Sequence, residues 1–316
     1  MPFAMLRNLQ RSPLINEKWD GVVWYAPSIF HGPLAKALKK ASGCKGYLII
    51  RDIFPEWAVD MGLMGRGIPY RFFDAVARYQ YSVADVIGVQ TPGNSSYFQA
   101  WQQKPGRTLE ILQNWLGKPA CERCSIRINE TPLAGRKIFI YAGNMGVAQG
   151  MSILLDLAEK LSTRSDVGFL FVGRGSDTQR LKNTAQTRGF TNVLFFDEIH
   201  PDEIPDLYSQ CSAGIVALDP RHKSHNIPGK FLTYMQSGLP VLANVNAGND
   251  LADIIRGEQV GQVCESNQVD ELVKLAEMLL EQINADTTFP MRCRNLFERK
   301  FSVQQAVRQI VTALTT

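Results

Sequence analysis

Nowhere in the chain does an uninterrupted apolar run reach the roughly 18 residues a membrane-spanning helix needs, so an integral helical membrane protein is not expected. The opening Met1-Pro-Phe-Ala-Met-Leu-Arg7 runs straight into polar sequence and lacks the form of a secretory signal. Together these point to a cytoplasmic protein, at most peripheral to a membrane. Charge of either sign is not in excess: 34 Lys and Arg against 30 Asp and Glu give +4, too mild to argue for nucleic acid. Cysteine is sparse, with six thiols of which only Cys121-Glu-Arg-Cys124 is closely spaced. A single such pair without a second pair or a histidine cluster is a weak zinc signal, and reduced thiols in a linker are the better reading. Also missing are the G-x-G-x-x-G fingerprint and the Walker pattern, which leaves nicotinamide and P-loop chemistry without their key residues.

What is present is the composition of a globular protein, 45% hydrophobic and 20% charged. At 316 residues the chain exceeds the size at which one core grows efficiently, so two domains are expected. Apolar β-rich runs alternate with helical patterns, which predicts an α/β fold of parallel sheets covered by helices. Strands are expected over 21–25, 46–50, 85–90 and 109–112, with helices near 32–40, 70–84 and 93–101. A polar stretch over 118–135, containing Pro119 and Pro132, reads as a linker. Six further strands follow, at 137–141, 168–172, 193–196, 213–217, 240–243 and 261–263, with helices near 151–161, 177–188, 204–210, 269–283 and 303–314. The expected division is therefore 1–117, 118–135, 136–300 and a final helix within 301–316.

The most informative segment is His225-Asn-Ile-Pro-Gly-Lys-Phe-Leu-Thr-Tyr-Met-Gln-Ser-Gly-Leu-Pro-Val-Leu242. Pro228 and Gly229 stand where a helix would begin, Lys230 to Ser237 carry helical periodicity, and Gly238-Leu-Pro stops the helix before a buried strand. A helix N-terminus presents unpaired N–H groups and a partial positive charge, so it can hold a phosphate, with Lys230 adding a full charge. Two glycine-bearing strand ends, Tyr141-Ala-Gly-Asn-Met-Gly146 and Phe171-Val-Gly-Arg-Gly175, accompany it at the sheet edge where α/β proteins bind ligands.

These motifs, with Ala213-Gly-Ile-Val-Ala-Leu-Asp-Pro220, resemble the C-terminal half of GT-B glycosyltransferases of family four, group 1. In the first part, Arg51-Asp-Ile-Phe-Pro-Glu56 resembles the Arg-Asp-x-Trp-Pro-Glu signature of the branch that builds bacterial surface polysaccharides, and Ile111-Leu-Gln-Asn-Trp115 matches a strand-end Asn before the linker. Within the family the likeness points to WbuB-type N-acetyl-L-fucosamine transferases of O-antigen and capsule biosynthesis. The resemblance implies two Rossmann-like doubly wound domains facing across a cleft, and retaining, metal-independent transfer. The amino sugar would pass from a UDP-sugar, bound by residues 136–300, to an undecaprenyl diphosphate-linked glycan held by residues 1–117. It implies no cofactor, no metal and no nucleic acid, and it allows peripheral contact with the cytoplasmic face of the inner membrane, which the basic bias of the first part would suit.

Carried onto this chain, the resemblance assigns substrate binding to Gly143, Asn144, Gly146, Gln149, Arg174, Asn226, Ile227, Pro228, Gly229, Lys230 and Thr233. It assigns catalytic roles to Asp52, Glu56 and His225. Alternatives stay open: Asp52 as a helix cap or partner of Arg51, Arg174 as a solvated loop residue, His225 as a bystander. The chain departs from many members in having Asn144 and Gln149 for Arg and Lys, and His225 and Thr233 for two Glu, which weakens the expected ribose contact. Against the family pattern the first domain is short, as a misplaced start, a truncated gene or a missing partner chain would make it, so uncovered apolar surface or self-association is expected. Two other readings remain: a UDP-sugar 2-epimerase on the same fold, and a nucleotide-binding remnant or partner subunit with little activity.

Overall fold

A computed structural model describes residues 2–146, 149–219 and 227–316. The chain is α/β, with two wholly parallel sheets in two compact units. Among the described residues, the first unit comprises residues 2–114 and 303–316, and the second comprises 115–219 and 227–302.

In chain order the first unit holds α1 (Pro2–Gln10), β1 (Gly21–Tyr25), α2 (Gly32–Ser42), β2 (Lys45–Ile50), α3 (Glu56–Asp60), α4 (Ile68–Val83), β3 (Val86–Val89), α5 (Gln99–Gln102) and β4 (Thr108–Ile111). The strands pair in the order β1-β2-β3-β4. Right-handed crossovers between successive neighbours put the connecting helices on one face. That face carries the core of Val22, Trp24, Leu48, Ile50, Ile87 and Val89, the inward residues of alternating strand positions. The opposite face receives the chain's last helix, where Leu314 packs against Gly21 and the Gln309 amide donates to the Ile111 carbonyl at 2.8 Å.

The second unit holds β5 (Lys137–Ala142), α6 (Ser152–Lys160), β6 (Val167–Val172), α7 (Thr178–Thr187), β7 (Val193–Phe196), α8 (Ile204–Ser209), β8 (Ala213–Ala217) and α9 (Gly229–Ser237). It continues with β9 (Val241–Asn244), α10 (Asp250–Glu258), β10 (Gly261–Cys264), α11 (Val269–Ala285) and α12 (Phe289–Lys300), and α13 (Val303–Thr315) then returns to the first unit. The sheet order is β10-β9-β8-β5-β6-β7. Strands covered on both faces are apolar throughout, as all six residues of β6 are here, which is why periodicity exposes them in sequence.

Differences from expectation have local causes. Residues 118–135 are not a free connector, because Cys124, Ile126, Ile128 and Leu133 are buried in the second unit's core. The Cys124 N–H donates to Asp206 at 2.7 Å and the Ile128 N–H to Gln210 at 3.0 Å, so the strand-less stretch is strapped onto α8 and the residue that follows it. Residues 93–101 form a 3-10 run, Pro92–Phe98, before the single turn of α5. Three helices, α1, α10 and α12, were not expected. Among the described residues no helix is long and apolar enough to cross a membrane.

Candidate functional site

The second sheet changes direction of growth between β5 and β8: the chain adds β6 and β7 on one side of β5, then β8, β9 and β10 on the other. The carboxyl ends of strands flanking such a switch are where open α/β sheets bind ligands. The two strands share only the short register Phe139↔Ala213 and Ile140↔Gly214. Tyr234 of α9 sits where they part, with its hydroxyl 3.1 Å from the Ile140 carbonyl and 3.2 Å from that of Ile215. Its ring lies on Gly214, where a Cβ would come within 2.5 Å of it. Tyr234 therefore fixes α9 to both strands, and sequence periodicity alone gave it no such role.

So anchored, α9 directs its N-terminus to the end of β5. Pro228 is the N-cap and no side-chain cap bond is made there among the described residues; the Phe231 N–H donates to the Pro228 carbonyl at 2.9 Å, and the Gly229 and Lys230 N–H groups precede the first intrahelical bonds. A Cβ at Gly229 would meet nothing within 4 Å, so packing does not require glycine at that position. The Lys230 ammonium stands 3.3 Å from the centroid of the Tyr141 ring, a cation–π contact, and its Cε is 3.7 Å from where a Gly143 Cβ would be. Burial pulls the Lys230 pKa down to about 7, and no carboxylate pairs with it among the described residues. A half-buried amine beside the start of a helix can attract an anion.

The structure brings Gly143, Asn144, Gly146, Gln149, Gly229 and Lys230 to the loop after β5 and the start of α9. Their roles are more specific than expected. The Gly143 N–H donates to the Val172 carbonyl at 2.9 Å, so it serves the frame. The Gly146 N–H and the Asn144 amide both donate to the Gln149 side-chain oxygen, at 3.0 and 3.4 Å, and Tyr141 donates to the Asn144 carbonyl at 2.7 Å. Gln149 thus closes this loop. Gly173 and Gly175 are required for backbone contact: a Cβ at Gly173 would lie 2.1 Å from the Gly143 oxygen, and one at Gly175 2.2 Å from the Met145 oxygen.

Other candidates stand apart. Arg174 pairs with Glu198 at 2.8 Å, both well exposed. Thr233 bonds back to the Lys230 carbonyl at 2.9 Å, and Ile227 is buried. His225 and Asn226 lie outside the described residues. In the first unit Asp52 is half-buried after β2, and Glu56 opens α3 and accepts the Tyr70 hydroxyl at 2.9 Å. Glu56 also lines a cavity of about 250 Å³ with Asp74, Tyr81, Tyr97 and Trp101. Asp219, buried at the end of β8 beside Gly150, is a polar neighbour of the switch point that sequence reading did not single out.

Known proteins resemble this chain in sequence and in fold. Residues 136–282 match the family of glycosyl transferases group 1. The match covers the part of the chain that forms the second sheet, and that part is similar to group 1 glycosyl transferases. The chain is 26% identical over 253 residues to the probable glycosyltransferase WbjE of Pseudomonas aeruginosa, covering 77% of this chain and 62% of WbjE. It is 24% identical over 263 residues to WcaI of Escherichia coli K12, named as a colanic acid biosynthesis glycosyl transferase, covering 80% of this chain and 62% of WcaI. The chain thus spans 62% of the length of both relatives. The fold is also that of HepE from Anabaena in complex with UDP, at a TM-score of 0.70 and 14% identity, covering 99% of this chain and 81% of HepE. The GT-B fold class is therefore established, and the expected α/β architecture with it.

Proposed function

We propose that the protein is a retaining, metal-independent glycosyltransferase that moves an amino sugar, N-acetyl-L-fucosamine, from a UDP-sugar to an undecaprenyl diphosphate-linked glycan in O-antigen or capsular polysaccharide synthesis, working at the cytoplasmic face of the inner membrane. The observation that carries the reading is Lys230 over Tyr141 at the uncapped start of α9, beside the switch point of the second sheet. When the bond between the anomeric carbon and the diphosphate breaks, negative charge grows on the leaving oxygen. Helix amides and one ammonium aimed at that position stabilise it as a bound cation would. Among the described residues Lys230 is the cation at this position, with the uncharged Asn144 and Gln149 in the neighbouring loop. The acceptor hydroxyl would be oriented by a first-unit carboxylate, Asp52 or Glu56.

The test is calorimetric titration with UDP. Replacing Lys230 by Ala removes a charge-assisted contact of about 1.5–3 kcal/mol, so affinity should fall roughly 10- to 100-fold; unchanged affinity defeats the assignment. Asp52→Asn keeps the shape and removes the charge, so UDP affinity should hold while transfer to a lipid-linked acceptor falls at least tenfold. Wild-type turnover in that variant would return Asp52 to a structural role. Product formation that depends on added acceptor separates transfer from epimerisation.

A further inference from the structure

The outer layer of the first unit carries an exposed apolar stripe on α4. Ile68, Phe72, Ala75 and Tyr79 follow one another at helical spacing and all face solvent, Ile68 at 83% and Phe72 at 58% exposure. Solvent-facing helices ordinarily carry polar residues at such positions, so a stripe of this kind marks an interaction surface. It is bordered by exposed cations: Arg66 just before the helix, Arg71 and Arg78 on it. The single acid of α4, Asp74, is taken by Arg78, which bonds both its oxygens at 2.8–2.9 Å. The neighbouring α2 packs against α4 and adds Lys36 and Lys40, both exposed. Neither α1 nor α2 contains an acidic residue. The whole chain is nearly balanced at +4, so this one-signed face is local.

We infer that the α2–α4 face docks on an anionic lipid bilayer, with Ile68 and Phe72 entering the interface and Arg66, Arg71 and the α2 lysines meeting the headgroup phosphates. The inference gives the transferase reading a partner surface and rests on it only for which membrane is meant. Charge decides the occupant. A second copy of this face would set its cations against themselves in an isologous contact, whereas a bilayer bearing anionic lipid satisfies the apolar stripe and the charge together. Phe72 also packs edge-on to Phe73, 5.4 Å between ring centres, which holds the insertion point on a rigid helix.

Co-sedimentation with vesicles tests this. The full chain should bind vesicles of phosphatidylcholine with a third phosphatidylglycerol, and should remain in solution with phosphatidylcholine alone. Binding should weaken with salt. Ile68→Ser with Phe72→Ser should reduce partitioning at least tenfold, and Arg66→Gln with Arg71→Gln at least fivefold. These side chains are exposed, so circular dichroism and UDP affinity should stay as in the wild type, which keeps a failure here distinct from a failure of the donor site. Absence of binding to anionic vesicles overturns the inference. So does wild-type partitioning by both double variants, or loss of a dimer in analytical ultracentrifugation on the same substitutions.

Discussion

Lys230 is held in an unusual state for a lysine, and its ligand would change that state. Its pKa of about 7 against an ordinary 10.5 means that between those values the folded chain binds fewer protons than the unfolded one. Stability therefore rises with pH across that window, and the cost of burying the charge is complete below about 7. A diphosphate placed beside the amine favours the ammonium, so UDP binding should take up a proton at pH values above 7. The nucleotide's own secondary ionisation, near ~6, is over by then. Affinity for UDP should accordingly fall between pH 7.5 and 9.5, by up to about tenfold per unit. Lys230→Arg, charged throughout, should bind with a flat profile. A flat profile in the wild type would place the lysine away from the phosphates. The candidate role of Lys230 was legible from Pro228-Gly-Lys230 and the helix that follows. Tyr141 beneath it was not, because a strand tyrosine reads as core until the fold brings α9 onto β5.

At the scale of elements, the two glycine-bearing loops after β5 and β6 form one backbone assembly. The Gly143 N–H reaches Val172, the Met145 N–H reaches Arg174 at 2.8 Å, and Gly173 holds φ at 139°. Gly173→Ala puts a Cβ against the Gly143 carbonyl in a backbone region alanine rarely adopts, which should cost about 3 kcal/mol or more. Thermal denaturation should show it, and UDP affinity should fall as the β5 loop is displaced from Lys230; an unchanged melting temperature would mean that the loops separate freely. Sequence marked these glycines as ligand-facing, while the structure makes Gly173 and Gly175 spacers between loops. The strands were readable because sheets buried on both faces leave unbroken apolar runs. The α12 stripe, Phe289, Cys293, Leu296 and Phe297, has helical spacing too, but it is thinned by four basic residues, and α10 depends on Asn249, whose side chain caps the helix at the Leu251 N–H.

For the whole molecule, the chain's division into units does not follow the sequence in two clean halves. The last helix belongs with the first unit, and the stretch 118–135 belongs with the second. Composition could not show this: a polar segment with two prolines hides four buried side chains, and the Cys124 and Ile128 N–H groups find acceptors about eighty residues onward, in and beside α8. A fragment of residues 115–302 should therefore fold by itself and bind UDP about as tightly as the full chain, since every described donor-site candidate lies within it. A fragment of 136–302, cut where the family match begins, loses Ile126, Ile128 and Leu133 from the core and leaves the Asp206 carboxylate without the Cys124 N–H. Burying side chains of this size contributes about 1.5–3 kcal/mol each, an upper estimate, so the shorter fragment should be about 5 kcal/mol less stable. That is comparable to the whole stability of an ordinary domain. Urea denaturation followed by tryptophan-independent circular dichroism should find the longer fragment cooperative and the shorter one largely unfolded; equal midpoints would mean that the strap covers the second unit without supporting it.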